Sequence, residues 1–212
     1  MASRSAPVFD PSDLSSPLAY KASETALILG DYQNMVVGIV GTAGATAVTT
    51  AADMRAWAAS HGVTTIHSIM DFTSPPAATS KIAARWPQMA GMVSAQPALG
   101  EEVAQIAHPD DLTVKRTGGL ISVLTSPALR EALTAKGIKS LIVCGLTSSG
   151  VVLSTSRAAY DEGYVVTVVE DACADRTESV HEVVMRDVLI TAQVAQAEVV
   201  KAELGKVWGG SS

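Results

Sequence analysis

The sequence has few aromatic residues, only two cysteines and no excess of basic residues. Aromatic residues make up 4% of the 212 positions, so a core must be filled mainly by aliphatic side chains, since hydrophobic residues together reach 48%. Two cysteines in apolar surroundings are too few for a disulfide framework. Lys and Arg number 15 against 21 Asp and Glu, which gives a formal net charge of −6. This acidic balance, without any basic cluster, predicts no nucleic-acid partner.

Long apolar segments are also absent. No run approaches the roughly 20 apolar residues of a membrane-spanning helix, and the N-terminal stretch has no apolar core of signal-peptide length. We therefore expect no membrane partner and a cytoplasmic protein. The length is sufficient for one domain with a sizeable core. We predict a surface segment over residues 1–24, a single domain over 25–205 and a tail over 206–212.

Short apolar runs alternate with helix-forming segments along the predicted domain. Five such runs predict buried strands, at residues 25–31, 63–71, 112–116, 138–145 and 164–172. Helical spacing or capping residues predict helices between them, at residues 47–62, 126–137, 151–163 and 177–192, with a short helix around 80–86. The last stretch, 193–205, fits a strand or a helix. Strands and helices in alternation predict a three-layer α/β/α sandwich around a doubly wound, mostly parallel sheet.

Polar residues stand where several of these strands end, which is where ligands bind in such sheets. Asp31 and Lys115 end two strands that could be neighbours. The turn 145–150 leads into a helix N-terminus, whose free N–H groups can hold an anion or an oxyanion. An acid, an ammonium and an oxyanion pocket together form a candidate site for a small-molecule substrate.

Three blocks of the sequence resemble the isochorismatase-like family, also called the cysteine hydrolases. They are "ALILGDYQN", "LTVKR" followed by "TGG", and the gap-free stretch "CGLTSSGVVLSTSRAAYDEGYVVTVVEDACAD". The resemblance covers roughly residues 24–200. It implies the α/β sandwich predicted above, hydrolysis of a small polar metabolite, and a homo-oligomer such as a dimer or tetramer.

The resemblance also assigns roles to single residues. In the family the Asp is a general base, the Lys supports it, and a Cys at the helix N-terminus is the nucleophile. By position, the acid is Asp31, the ammonium is Lys115 and the nucleophile position is Val151. A valine has no nucleophilic atom, so thioester chemistry is not expected. Cys144 lies in the strand on the other side of the turn and cannot substitute for it.

Further site residues follow from the same resemblance. Gln33 lies in the Asp-x-Gln-Asn block, while Thr147, Gly150 and Val151 lie in or after the turn, and we expect all four to contact substrate. The family also carries a non-proline cis peptide bond in this turn, which by position joins Leu146 to Thr147.

Several mechanisms remain open for a site without the cysteine. In a family subgroup that lacks it, the Asp is a general acid that protonates a vinyl ether, and water completes the hydrolysis. Alternatively, Ser148 or Ser149 is the nucleophile, although His67 is the only histidine that could serve as its base. The chain could instead be a catalytically silent member that binds a ligand or acts as a structural subunit.

Charged residues outside the main blocks give two further expectations. His67 and Asp71 are too few to hold a metal ion, so we predict no metal and no cofactor. If the substrate carries carboxylates, as isochorismate does, the nearest cations are Lys81, Arg85 and Arg116.

Overall fold

A six-stranded parallel sheet forms the centre of the computed structural model, which describes residues 7–209. Its strands are β1 (Thr25–Gly30), β2 (Thr64–Asp71), β3 (Leu112–Thr117), β4 (Ser140–Leu146), β5 (Val165–Ala174) and β6 (Gln193–Ala195). Their order across the sheet is β3-β2-β1-β4-β5-β6, and every neighbouring pair is parallel. Because the strand order reverses beside β1, the carboxyl ends of β1 and β4 lie at a switch point where ligands bind.

Helices cover both faces of the sheet and complete the predicted three-layer sandwich. They are α1 (Asn34–Val40), α2 (Thr42–Ser60), α3 (Trp86–Ala95), α4 (Pro127–Ala135), α5 (Leu153–Asp161), α6 (Glu178–Val183) and α7 (Ala197–Trp208). The start of α4 follows the sequence signal, with Ser126 at the N-cap and Pro127 at the first helical position. A π-helical turn over Ser148–Val152 precedes α5. None of the helices within residues 7–209 is long and apolar enough to cross a bilayer.

The central strands are buried on both faces, as expected of a parallel sheet between two helical layers. Alternate residues of β1 belong to separate hydrophobic clusters, with Leu27 and Leu29 on the α1–α2–α7 side and Ile28 on the α4–α5 side. Burying an aliphatic side chain of this size stabilises the fold by about 1.5–3 kcal/mol. Residues at the ends of β1 and β4 are therefore attached to strands that are buried along their whole length.

Some elements differ from the sequence-based predictions. The helix expected around 80–86 begins at Trp86, and the 193–205 stretch forms both a short strand and a helix. The predicted boundary after residue 205 falls inside α7, which continues to Trp208 and stacks that ring on Trp57 at a centroid distance of 5.5 Å. Residues 1–6 of the predicted surface segment and 210–212 of the predicted tail lie outside the described residues.

Candidate functional site

Asp31 follows β1 directly and has an unusual backbone conformation. Its φ is +60°, the one non-glycine value of this kind within residues 7–209. A left-handed conformation is uncommon for residues with a side chain, and it persists where the surroundings enforce it. Here the Asp31 N–H donates to the Ser68 carbonyl of β2 at 2.9 Å, and the residue is only 7% exposed. Such enforced geometry is typical of functional sites.

Arg116 of β3 is the charged partner of Asp31. Its Nη2 donates to both carboxylate oxygens, at 2.9 Å to Oδ1 and 2.7 Å to Oδ2. Its other nitrogens donate to Ser68 Oγ at 2.9 Å and to the Leu120 carbonyl at 3.3 Å. Burial raises the pKa of Asp31 above its ordinary value, and the charge and hydrogen bonds of Arg116 oppose that rise.

The structure places Lys115 away from Asp31, so the predicted Asp31–Lys115 pair is wrong. Successive residues of a strand point to opposite faces, and Arg116 takes the position beside Asp31. Lys115 is exposed and lines a neighbouring cavity of about 670 Å³, together with Asp71 and Glu101. The partner of Asp31 is thus a buried guanidinium rather than an ammonium.

The turn after β4 forms another wall of the site. The Leu146–Thr147 peptide bond is cis. Gly150 has a non-helical backbone (φ −99°, ψ −107°), and a Cβ added there would lie 2.8 Å from Thr147 Oγ1. A side chain at this position would therefore have to displace the Thr147 hydroxyl.

Val151 follows the turn and is 3% exposed. Its side chain fits against two glycines at the ends of β1 and β4. A Cβ on Gly30 would lie 3.0 Å from Val151 Cγ2, and one on Gly145 would lie 3.1 Å from Val151 Cγ1. The valine therefore packs directly against the backbone of the sheet.

These residues share one cavity of about 360 Å³. Its polar lining consists of Asp31, Arg116, Lys81, Ser80 and Thr147, with Gly119 and Gly150 contributing backbone. Apolar side chains form the remaining walls, namely Val36, Met70, Ile82, Leu120, Ile121, Leu146 and Val151. A mostly apolar pocket with a few convergent polar groups is the usual form of a small-molecule site.

Comparisons with known proteins agree with this architecture. The model of the isochorismatase domain matches residues 25–199. This chain belongs to the isochorismatase family. A curated relative, an uncharacterized isochorismatase family protein of Bacillus subtilis, is 43% identical over 54 residues, which are 26% of this chain and 30% of that protein. Its match therefore spans less than a third of the relative's length.

Solved structures of the isochorismatase fold superpose over most of the chain. A cysteine hydrolase from Pseudomonas syringae has a TM-score of 0.75 at 18% identity, covering 89% of this chain and 95% of its own. An octameric hydrolase of unknown specificity from Escherichia coli has a TM-score of 0.68 at 20% identity, covering 91% and 84%. At these identities the similarity establishes the fold.

Both cysteines of this isochorismatase-family chain are buried away from the cavity. Burial raises the pKa of Cys144 well above the ordinary thiol value and that of Cys173 to about 12. Neither residue lines the cavity with Asp31. Because the thiolate is the reactive form of cysteine, neither is suited to act as a nucleophile here.

Gln33 does not face the cavity, which corrects its predicted contact with substrate. Its side chain is fully buried, and Nε2 donates to the carbonyls of Met70 and Gly100 at 3.0 and 2.6 Å. Its Oε1 accepts from the Met70 N–H at 2.9 Å. Gln33 therefore joins β2 to the segment around Gly100.

A serine–histidine contact lies beside the turn and was not predicted. Ser148 Oγ is 2.7 Å from Nδ1 of His181, which lies in α6. Ser148 is fully buried and does not line the cavity with Asp31. The contact fastens the turn to α6 but does not present the serine oxygen to the cavity.

His67, the base considered for a serine mechanism, lies on the opposite face of the sheet. Its ring nitrogens contact Glu102 at 2.8 Å and Asp111 at 3.1 Å. His67 is therefore unable to activate Ser148.

Within residues 7–209, no group of three or more His, Cys, Asp and Glu side chains is arranged to hold a metal ion.

Proposed function

We propose that the chain is a hydrolase of the isochorismatase family that acts on a small metabolite without a cysteine nucleophile. Asp31 transfers the proton, and Arg116 takes the supporting role predicted for Lys115. The observation that carries this proposal is the buried Asp31–Arg116 ion pair at the wall of a ligand-sized cavity. Buried charges are costly to maintain, and here they adjoin a space that a substrate can enter.

The raised pKa of Asp31 suits a general acid. In vinyl-ether hydrolysis, protonated Asp31 would give its proton to the enol-ether carbon, and water would add to the resulting cation. One proton of the added water passes to the ether oxygen, the carbon–oxygen bond breaks and the alcohol leaves, and the other proton of that water returns to Asp31 as the carbonyl group forms. This sequence forms no bond between the protein and the substrate, so Val151 needs no nucleophilic atom.

Thr147, Gly150 and Val151, which line the same cavity as the ion pair, would bind the substrate. They lie at a helix start, where backbone N–H groups lack partners one turn earlier; the Gly150 N–H donates to the Thr147 carbonyl at 3.1 Å, which leaves those of Thr147 and Val151 as the candidates. N–H groups of this kind can stabilise negative charge on a substrate oxygen. We extend the proposal to a cytoplasmic protein that forms a homo-oligomer. The octamer of the E. coli relative supports the oligomer.

A second candidate function is a catalytically silent member that binds a ligand. It is favoured by one observation, the close packing of Val151 against Gly30 and Gly145, which leaves an apolar group at the nucleophile position. In that case the cavity would bind its ligand without converting it.

A substrate panel tests both candidates. Hydrolysis of vinyl ethers that carry one carboxylate or two, isochorismate among the latter, and of nicotinamide and simple amides should be measured for the unmodified protein and for a variant carrying Cys144→Ala and Cys173→Ala. We expect turnover of at least one compound, retained by the double variant as long as it is folded. Selective loss in a folded double variant would indicate thiol chemistry. Binding of panel compounds without turnover would favour the silent member.

A further inference from the structure

More basic than acidic side chains line the Asp31 cavity. They are one acid, Asp31, and two bases, Lys81 and Arg116. Arg116 is occupied, because its Nη2 binds Asp31 and its remaining nitrogens donate to Ser68 and Leu120. The cavity therefore retains one uncompensated positive charge when Asp31 is ionised, and it lies on Lys81.

Lys81 is an exposed residue that lines the cavity from a folded turn. Ser80 N–H donates to the Ala77 carbonyl at 2.8 Å, and Ala83 N–H donates to the Ser80 carbonyl at 2.9 Å. Gly119, with φ +81°, packs against this turn so closely that a Cβ would lie 3.1 Å from Ser80 Oγ. The ammonium of Lys81 forms no ion pair with any other residue in the described part of the chain.

The other candidate cations do not reach this cavity. Lys115 lines the neighbouring cavity, and Arg85 is exposed at the start of α3 and absent from the lining around Asp31. A second carboxylate of a ligand held inside the cavity would therefore lose water without gaining a cation. Such uncompensated desolvation of a charge is costly.

The outer wall of the cavity is apolar and accessible. Leu120 and Ile121 line it and are 45% and 53% exposed. An apolar ligand body would cover these two side chains and gain free energy from the area removed from water.

From these observations we propose that the cavity selects a small apolar molecule with a single negative charge, and that Lys81 binds that charge. The inference rests on the proposed function, since it concerns the same cavity. It names a substrate class, an apolar monoanion, that differs from a dicarboxylate and from a neutral amide.

Binding of simple probes tests the inference. Benzoate and hexanoate are apolar monoanions, benzamide is the neutral counterpart of benzoate, and phthalate carries two charges. Calorimetry or ligand-detected NMR should compare the unmodified protein with Lys81→Met and with the control Lys136→Met. Lys136 is an exposed lysine at the end of α4, outside this cavity.

We expect a monoanion to bind the unmodified protein more tightly than benzamide or phthalate. Lys81→Met should weaken monoanion binding about tenfold, as expected for one charge-assisted hydrogen bond. Benzamide binding should be nearly unchanged, and Lys136→Met should behave like the unmodified protein. The inference is overturned if neither monoanion binds, if phthalate binds better than both, or if Lys81→Met weakens benzoate and benzamide equally.

Asp31→Asn separates this inference from the proposed function. The substitution removes the acid but frees the charge of Arg116, so benzoate should bind as tightly as before or more tightly while turnover is lost. Turnover without a preference for monoanions would overturn the Lys81 inference alone. A preference for monoanions without turnover of any compound would overturn the hydrolase proposal alone.

Discussion

Two clusters of buried charge lie on opposite faces of the same three strands. On one face Arg116 of β3 binds Asp31 after β1, and both side chains line a cavity. On the other face His67 of β2 lies between Glu102 and Asp111, and Arg55 of α2 binds Asp111 at 2.7 Å. The first cluster adjoins space for a ligand, whereas the ring of His67 is completely enclosed. The comparison indicates that burial of charge alone does not mark an active site and that access to a cavity is also required.

The closed cluster has a structural explanation. Glu102 and Asp111 lie in the connection between α3 and β3, and His67 joins both of them to the sheet. Burial lowers the pKa of His67, but the two carboxylates outweigh it, so the pKa is raised overall. The His67 side chain thus fastens this long connection to β2.

The largest effect on stability is expected from Arg116→Met. Removing one partner of a buried ion pair leaves Asp31 uncompensated, and losses of about 3–5 kcal/mol in unfolding free energy are usual. Part of that loss will be avoided because the pKa of Asp31 rises further and the carboxyl group takes up a proton. Urea unfolding at pH 7 measures the change. A loss below about 1 kcal/mol would show that the pair is not needed to hold the strand ends together.

His67→Gln should have a smaller effect. Glutamine can keep one hydrogen bond but not the charge between Glu102 and Asp111, while Arg55 still binds Asp111. We expect a loss of about 1–3 kcal/mol in unfolding free energy and little change in ligand binding at the Asp31 cavity. A folded variant that loses benzoate binding would contradict the separation of the two clusters.

The pH dependence of the difference in unfolding free energy between the unmodified protein and His67→Gln is a further test. Because the folded state raises the pKa of His67, its stabilisation is complete below the unfolded pKa of about 6.5 and decreases as pH rises through the folded value. Unfolding free energies of the unmodified protein and His67→Gln should therefore converge as the pH rises. A gap that widened with pH would mean that neutral histidine is the stabilising form.

Lys115→Met should have the smallest effect. Lys115 is exposed and lies apart from Asp31, so stability should stay within about 0.5 kcal/mol. Turnover should also be retained, in contrast to Arg116→Met. If Lys115→Met abolished activity while Arg116→Met did not, the role of supporting Asp31 would belong to Lys115 and not to Arg116.

The sequence carried enough information to predict most of the fold. The apolar runs that became β1 and β4 are nearly continuous, and Ser126, Pro127 and Gly137 mark α4 with separate capping signals. The seven-residue α1 was missed because it is short and apolar apart from Asn34, and because the small residues Gly41 and Thr42 follow it. Periodicity cannot distinguish such a segment from a strand or loop.

The site was predicted less completely, and the error at β3 has a clear cause. Val114 is apolar and buried, and residues two apart on a strand share a face. Arg116 therefore had to point inward with Val114, while Lys115 pointed to the other face. The alternation in "LTVKR" already contained this signal. His181 could not be found in the same way, because its contact with Ser148 depends on how α6 packs beside the turn.

The most direct test of the account is the turnover of Asp31→Asn on a substrate found with the panel. Asparagine tolerates the left-handed backbone at this position and keeps the size of the side chain, but it cannot deliver the proton. General acid–base groups typically contribute about 10²–10⁴-fold, so turnover should fall by that factor while the unfolding transition remains cooperative. A folded Asp31→Asn variant that keeps most of its activity would contradict the central role of Asp31.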